Sequence, residues 1–388
     1  MNSNKIRIVF LITGLGTGGA EMMLFKFLTR LDCTTFSPYV VSLIPGGVFE
    51  NRIKDLGIPV FSLDMVQGVP NPFVLFRLKK YLDIIKPNII QGWMYHANFI
   101  ALFGKLLWDK KVPVLWSIHH SINSLKNEKI SLALLIKLTA LLSKKPDKVI
   151  FSAKTGKFQH LQIGYKSVNS LAINDNFDLT LFREESNRLR GLRNSWSISE
   201  DAILIGSLAR FHPMKDHLGL LSAAAKVIGK YPNVYFVLAG PNVDYNNYEL
   251  TSFIKKHGIA DKIHLLGEIH YVPKFFNSID IYVSSSAYGE SFPNVIGEAM
   301  ACGVSCVVTD VGDSKFIVGS TGIVVPPRDT EALMLAFKKL IELGPMKLVK
   351  MGEKAKSRIS SEFDLDAPNS FVRKYEKLYM QAVEVPNK

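Results

Sequence analysis

Short runs of β-branched and aliphatic residues alternate with longer segments of helical period along this chain, and they do so in two separate series. That alternation marks parallel β-strands joined by crossover helices, because strands covered on both faces read as continuous apolar runs. The first series comprises Ile6–Ile12, Tyr39–Leu43, Val60–Leu63, Ile89–Gln91, Val112–Ile118, Lys148–Phe151 and Val168–Leu171. The second restarts at Ala202–Leu208 and continues through Val234–Ala239, Lys262–Leu266, Ile279–Ser284, Val304–Val308 and Gly322–Val325. The fold class expected is α/β with two doubly wound sheets, which suits 388 residues better than one core would. Residues 173–200 are polar and asparagine-rich, as a connection between domains would be. The expected domains are therefore 1–172 and 201–365, with a last helical stretch over 366–388 that could pack back on the N-terminal domain.

The net charge of +13 is uneven: residues 1–172 hold 22 Lys/Arg against 9 Asp/Glu, whereas 173–388 hold 25 of each. The first half therefore expects an anionic partner, such as a membrane surface or a phosphorylated acceptor, unless the charge serves solubility. No aromatic-basic recognition motif accompanies it, so nucleic acid is not expected. Three basic segments of helical period, 72–86, 99–111 and 128–145, lie in this half. The last is nearly all apolar with flanking lysines, the composition of an interfacial helix on anionic lipid and equally of a helix buried on the sheet. The first apolar run contains Arg7 and ends in a glycine loop, unlike a signal peptide, and nowhere do 18 consecutive apolar residues occur. Cys33, Cys302 and Cys306 have no metal spacing and fit a reducing compartment. The expected location is cytoplasmic, peripheral on the inner face of the cell membrane.

The segment Gly14-Leu-Gly-Thr-Gly-Gly19 follows the first strand and precedes a helix, matching a dinucleotide-binding glycine loop in form. A nicotinamide site also needs an acidic residue at the end of the second strand, and Val40-Val-Ser-Leu-Ile-Pro-Gly supplies none. What remains is a loop whose backbone lets a phosphate or sugar approach closely, with Glu21 behind it.

The strongest signal is Tyr288-Gly-Glu-Ser-Phe-Pro-Asn-Val-Ile-Gly-Glu-Ala-Met-Ala-Cys-Gly303. Glu290 ends the loop after a strand, Pro293 suits a first helical turn and Glu298 lies about a turn into the helix, so both carboxylates can face one cleft. This stretch resembles the retaining glycosyltransferases of family 4, the glycosyl transferases group 1, whose mark is two glutamates separated by seven residues. The resemblance implies a GT-B fold: two Rossmann-like domains facing across a cleft, the second holding a nucleotide sugar. It implies that Glu298 binds the ribose, that Glu290 binds the transferred sugar, and that the N–H groups from Ser291 through Phe292 and Asn294 to Val295 meet the pyrophosphate. Arg210 and Lys215, in Gly206-Ser-Leu-Ala-Arg-Phe-His-Pro-Met-Lys-Asp-His217, stand where the family places its phosphate-binding pair. Such cations stabilise a departing diphosphate without a metal.

Asn174-Asp-Asn-Phe-Asp178 is similar to the family's Asn-Gly-x-Asp turn with Asp175 in place of glycine. Gly267 ends a strand near the expected nucleobase, and Thr309-Asp-Val-Gly312 resembles the loop after the fifth strand. Ser291 replaces a usual glycine. His119 and His120 follow a strand where family members carry a histidine facing the donor sugar. Neighbouring side chains alternate on a strand, so one of them points into the cleft, and strand alignment favours His119.

The resemblance thus implies a retaining glycosyltransferase that uses a nucleotide sugar, with UDP-sugar the expected donor, and no cofactor or metal. Glu290, His119, Arg210 and Lys215 are the catalytic candidates; Gly16 and Gly18 join the donor contacts. Gly18, Gly19, Glu21 and His120 are the acceptor candidates. A lipid-linked saccharide is the expected acceptor, in cell-surface polysaccharide or lipopolysaccharide synthesis. A nucleotide-sugar epimerase and a catalytically silent subunit share the architecture, but no epimerase acid–base set is evident and the donor residues are all present.

Overall fold

A computed structural model of the chain describes residues 5–384 except 67–70, 72, 123, 184–192, 194, 195, 197 and 200. Much of the connection expected over 173–200 lies outside the described residues. The chain divides into two compact units, Met1–Asp175 with Pro368–Lys388, and Asn176–Ala367.

The first unit is built on seven strands: β1 Ile6–Ile12, β2 Phe36–Ser42, β3 Val60–Ser62, β4 Ile89–Trp93, β5 Val114–Ile118, β6 Lys148–Phe151 and β7 Ser170–Ala172. Their order is β3-β2-β1-β4-β5-β6-β7, with every pair parallel. The chain runs outward one way from β1 and then restarts beside it at β4, which opens a crevice at the strands' carboxyl ends. Strands β4 and β5 are buried at every position, and the two polar side chains they bury pair with each other, Gln91 Nε2 donating to the Ser117 hydroxyl at 2.7 Å. The helix Gly19–Arg30 buries Met23, Leu24, Phe27 and Leu28.

The helix Phe371–Glu384 belongs to this unit. Its buried Phe371, Tyr375 and Tyr379 meet Phe27 with ring centroids 5.7, 5.4 and 6.3 Å away. Tyr375 also bonds the Ser117 hydroxyl at 2.7 Å, and Glu376 accepts from the Asp32 backbone N–H at 2.9 Å. Burying such aromatic side chains contributes roughly 1.5–3 kcal/mol each.

The second unit repeats the plan with six strands: β8 Ile203–Leu208, β9 Val234–Ala239, β10 Ile263–Leu265, β11 Ile281–Ser284, β12 Ser305–Thr309 and β13 Ile323–Val325. The order β10-β9-β8-β11-β12-β13 is again parallel throughout and places the switch point between β8 and β11. Apolar cores lie on the two faces of this sheet. On one face Phe177 stacks on Phe292 at 5.5 Å and 21°, and a Cβ at Gly297 would strike the Phe177 ring. Only glycine lets that ring reach the helix Asn294–Ala301.

Candidate functional site

In the second unit the loops after β8 and β11 flank the switch point and are stitched together. The Ala287 backbone N–H donates to the Met214 carbonyl at 2.7 Å, and the Ser285 hydroxyl to the Lys215 carbonyl at 2.8 Å. This fixes Lys215 so that its Nζ donates to Glu290 Oε1, which also accepts from the Ser286 hydroxyl at 2.6 Å. Lys215 and Glu290 are both largely buried, at 16% and 11% side-chain exposure, so the pair is only weakly screened by solvent. The Thr309 hydroxyl donates to the Ser286 carbonyl at 2.6 Å and ties this serine to the sheet. Together Lys215, Ser286, Glu290, Tyr282, Pro293 and Val295 line a small cavity of about 10 Å³, the room of a single water.

The Glu290 loop is held from behind by Gly312, whose φ is +61° and whose absent Cβ would lie 2.5 Å from the Glu290 carbonyl oxygen. The Asp313 N–H donates to the Ser291 carbonyl at 2.8 Å. The helix Asn294–Ala301 then begins with Pro293 at its N-cap and no side-chain cap. Its first-turn N–H groups and positive dipole end are suited to an anion. Glu298 sits half-buried on this helix. The buried Tyr282 hydroxyl is held well above its ordinary pKa, by burial first and then by Cys306, Glu290 and Glu298.

Arg210 is exposed and makes no ion pair among the described residues, a cation left available to a ligand. Gly267, at φ +68°, donates its N–H to Val243 and accepts from Gly240, so its backbone is spent within the fold. Phe292, placed by the sequence among the donor contacts, turns its side chain into the core against Phe177 and Phe363 and leaves only its backbone near the helix N-terminus.

In the first unit the loop after β1 leaves open space over Gly14, Gly16 and Gly19, where an added Cβ would meet nothing within 4 Å. None of these glycines needs a left-handed backbone, so space above the chain, rather than turn geometry, is what they provide. The Glu21 carboxylate folds back over Gly18, which caps the helix Gly19–Arg30.

The two histidines diverge after β5. His119 stacks on Trp93 at 4.6 Å and 20°, and its Nδ1 lies 3.4 Å from Asp175 Oδ2. His120, assigned by the sequence to the acceptor, instead joins a buried chain: its Nδ1 is 3.3 Å from the Tyr95 hydroxyl, which bonds His160 Nε2 at 2.7 Å, while its Nε2 lies 3.5 Å from Glu128. Burial lowers its pKa, with Glu128 opposing. Nδ1 thus faces Tyr95 and Nε2 faces Glu128, with the His120 side chain 26% exposed.

Residues 190–358 match the family of glycosyl transferases group 1. The chain is a glycosyltransferase. EpsF of Bacillus subtilis (strain 168), described as a glycosyltransferase, is 25% identical over 325 residues, covering 82% of this chain and 83% of the relative. An N-acetylgalactosamine-N,N'-diacetylbacillosaminyl-diphospho-undecaprenol 4-alpha-N-acetylgalactosaminyltransferase of Campylobacter jejuni is 23% identical, covering 85% of this chain and 89% of that one. Among solved structures, Anabaena HepE in complex with UDP and glucose superposes with a TM-score of 0.81 at 20% identity, over 97% of this chain and 100% of HepE. These likenesses show the GT-B fold for this glycosyltransferase.

Sequence reasoning did not single out Ser286, which bonds Glu290, or Trp93, which stacks on His119. Ser286 stands four residues before Glu290 in an ordinary serine run, and Trp93 ends a strand with no motif around it. Asp175 was visible as a departure from a turn pattern, but its partner was not.

Proposed function

We propose that this glycosyltransferase moves a sugar from a UDP-sugar to a lipid-linked saccharide, with retention of anomeric configuration, in the synthesis of a cell-surface polysaccharide. The observation that carries this reading is the Lys215–Glu290–Ser286 cluster at the switch point of the second unit. Lys215 with Arg210 supplies positive charge where a departing diphosphate gains negative charge, and the uncapped helix Asn294–Ala301 adds N–H groups. Glu290 is then held to accept from hydroxyls of the transferred sugar, and Glu298 from the ribose. The structural relative holding UDP and the Campylobacter relative named for a diphospho-undecaprenol acceptor support the two ends of the reaction.

Lys215 and Ser286 hold Glu290 Oε1 as a hydrogen-bond acceptor, and the proposal gives this carboxylate a binding role. The reaction is therefore written as a front-face displacement. The bond from the anomeric carbon to the diphosphate oxygen breaks, the bond to the acceptor oxygen forms on the same face, and the acceptor's proton passes to the leaving phosphate. Trapping a covalent glycosyl-enzyme at Glu290 would overturn this route.

An anionic membrane surface is the proposed site of work. The helix Ile130–Leu142 exposes Ile130, Leu134, Leu138 and Leu141, and Phe73 and Phe76 are exposed beside the helix Val74–Ile85. Exposed apolar side chains among lysines are the chemistry of interfacial binding. Among the described residues no helix is long and apolar enough to cross a membrane. Reversing the charge of Lys144 and Lys145 should weaken sedimentation with phosphatidylglycerol vesicles; unchanged sedimentation would return the basic surface to solubility.

A further inference from the structure

We propose that Asp175 is a positioning residue for glycosyl transfer, fixing His119 in the tautomer that carries its proton on Nδ1 so that Nε2 presents a lone pair to a substrate hydroxyl. The proposal rests on the transfer reading above.

His119 is held on three sides. One face of its ring lies on Trp93, which is itself pinned by its Nε1 donating to the Ala20 carbonyl at 2.9 Å. The His119 backbone N–H points at Met94 Sδ at 3.3 Å, where Met94 adopts a left-handed φ of 74° to turn the chain out of β4. The third restraint is Asp175 Oδ2, 3.4 Å from Nδ1, with the two side chains only 5% and 6% exposed.

A carboxylate can only accept, so a neutral imidazole beside it places its proton on the facing nitrogen. Nε2 is then left as an acceptor. Among the described residues neither the buried His119 Nε2 nor the buried Asp175 Oδ1 has a hydrogen-bond partner, although buried polar atoms are nearly always paired. A sugar hydroxyl donating to Nε2 would satisfy the ring and orient the sugar. No proton leaves the hydroxyl in this contact, so the displacement keeps its balance.

The test is the nitrogen-15 resonances of the His119 ring in the ligand-free full chain at pH 7.5, assigned with His119→Gln. The wild type is expected to show Nδ1 protonated and Nε2 bare. Asp175→Asn, whose side chain can donate as well as accept, is expected to lose that preference and to lower kcat about tenfold or more with KM little changed, and Asp175→Glu to restore both. A wild-type ring protonated on Nε2, a tautomer unchanged in Asp175→Asn, or a kcat within about twofold of wild type in a variant whose tautomer has shifted would each overturn the proposal. The resonances require no substrate, so a wild type inactive with every sugar donor would sink the transfer reading while the tautomer still decides this one.

Discussion

Replacing Gly312 by alanine tests whether the loop carrying Glu290 is held by close backbone contact. Gly312 has a φ of +61°, and the new Cβ would lie 2.5 Å from the Glu290 carbonyl oxygen and 2.7 Å from that of Ser291. The left-handed conformation costs a side chain about 1–2 kcal/mol. Relieving the contact means moving the 290–291 backbone away, which adds overpacking strain of about 1–3 kcal/mol. It also stretches the 2.8 Å bond from Asp313 to Ser291, with about 1 kcal/mol more at stake. The loss should be roughly 4 kcal/mol, or about 8–16 °C in Tm for a unit of this size. A shift of about 1 Å in Glu290 should lower kcat about 100-fold.

Gly258→Ala is the control, since Gly258 ends a helix at a φ of +65° with nothing within 4 Å of its added Cβ. It carries the dihedral cost alone, about 1–2 kcal/mol, far from the catalytic loop. Differential scanning calorimetry and a sugar-transfer assay on both variants separate the terms. If Gly312→Ala loses no more stability and no more activity than Gly258→Ala, the contact does not hold the loop and the reasoning fails.

Lys215→Met should lower kcat about 10²–10³-fold while the chain remains folded, because the proposed donor site sets this cation against the leaving group; a loss under about tenfold in steady-state kinetics would remove it from that role. His160 and His217 are both pushed down to about 4, chiefly by burial, so the folded state keeps them neutral. The unfolded chain takes up their protons from about pH 6.5 downward, so stability is full above that pH and falls by up to about 1.4 kcal/mol per pH unit for each histidine as pH drops toward 4. His160→Gln should flatten the dependence of Tm on pH between 6.5 and 4.5, and an unchanged slope would refute the assignment.

Much of the sheet architecture was legible because parallel strands buried on both faces leave an unmistakable apolar record: β1, β6 and β9 begin and end where the sequence places them. The glutamate pair was legible because its spacing is local, with both residues on one loop and one helix. What the sequence could not carry were contacts made across the fold. His119 and His120 are neighbours with opposite fates, decided by Trp93 and Asp175 on one side and by Tyr95 and Glu128 on the other. Phe292 sits inside a polar motif, yet Gly297 and Phe177 draw its ring into the core. The helix Phe371–Glu384 shows an apolar stripe, but only Phe27, Ser117 and Asp32 say where it lies.

The most direct measurement is isothermal titration calorimetry of UDP into the wild-type chain and into Glu298→Ala, with guanosine and adenosine diphosphates alongside. Saturable binding of UDP that Glu298→Ala abolishes, with the variant's Tm preserved, is the predicted result. UDP binding that survives Glu298→Ala, or binding of none of the three nucleotides by the wild type, would contradict the donor site described in the second unit.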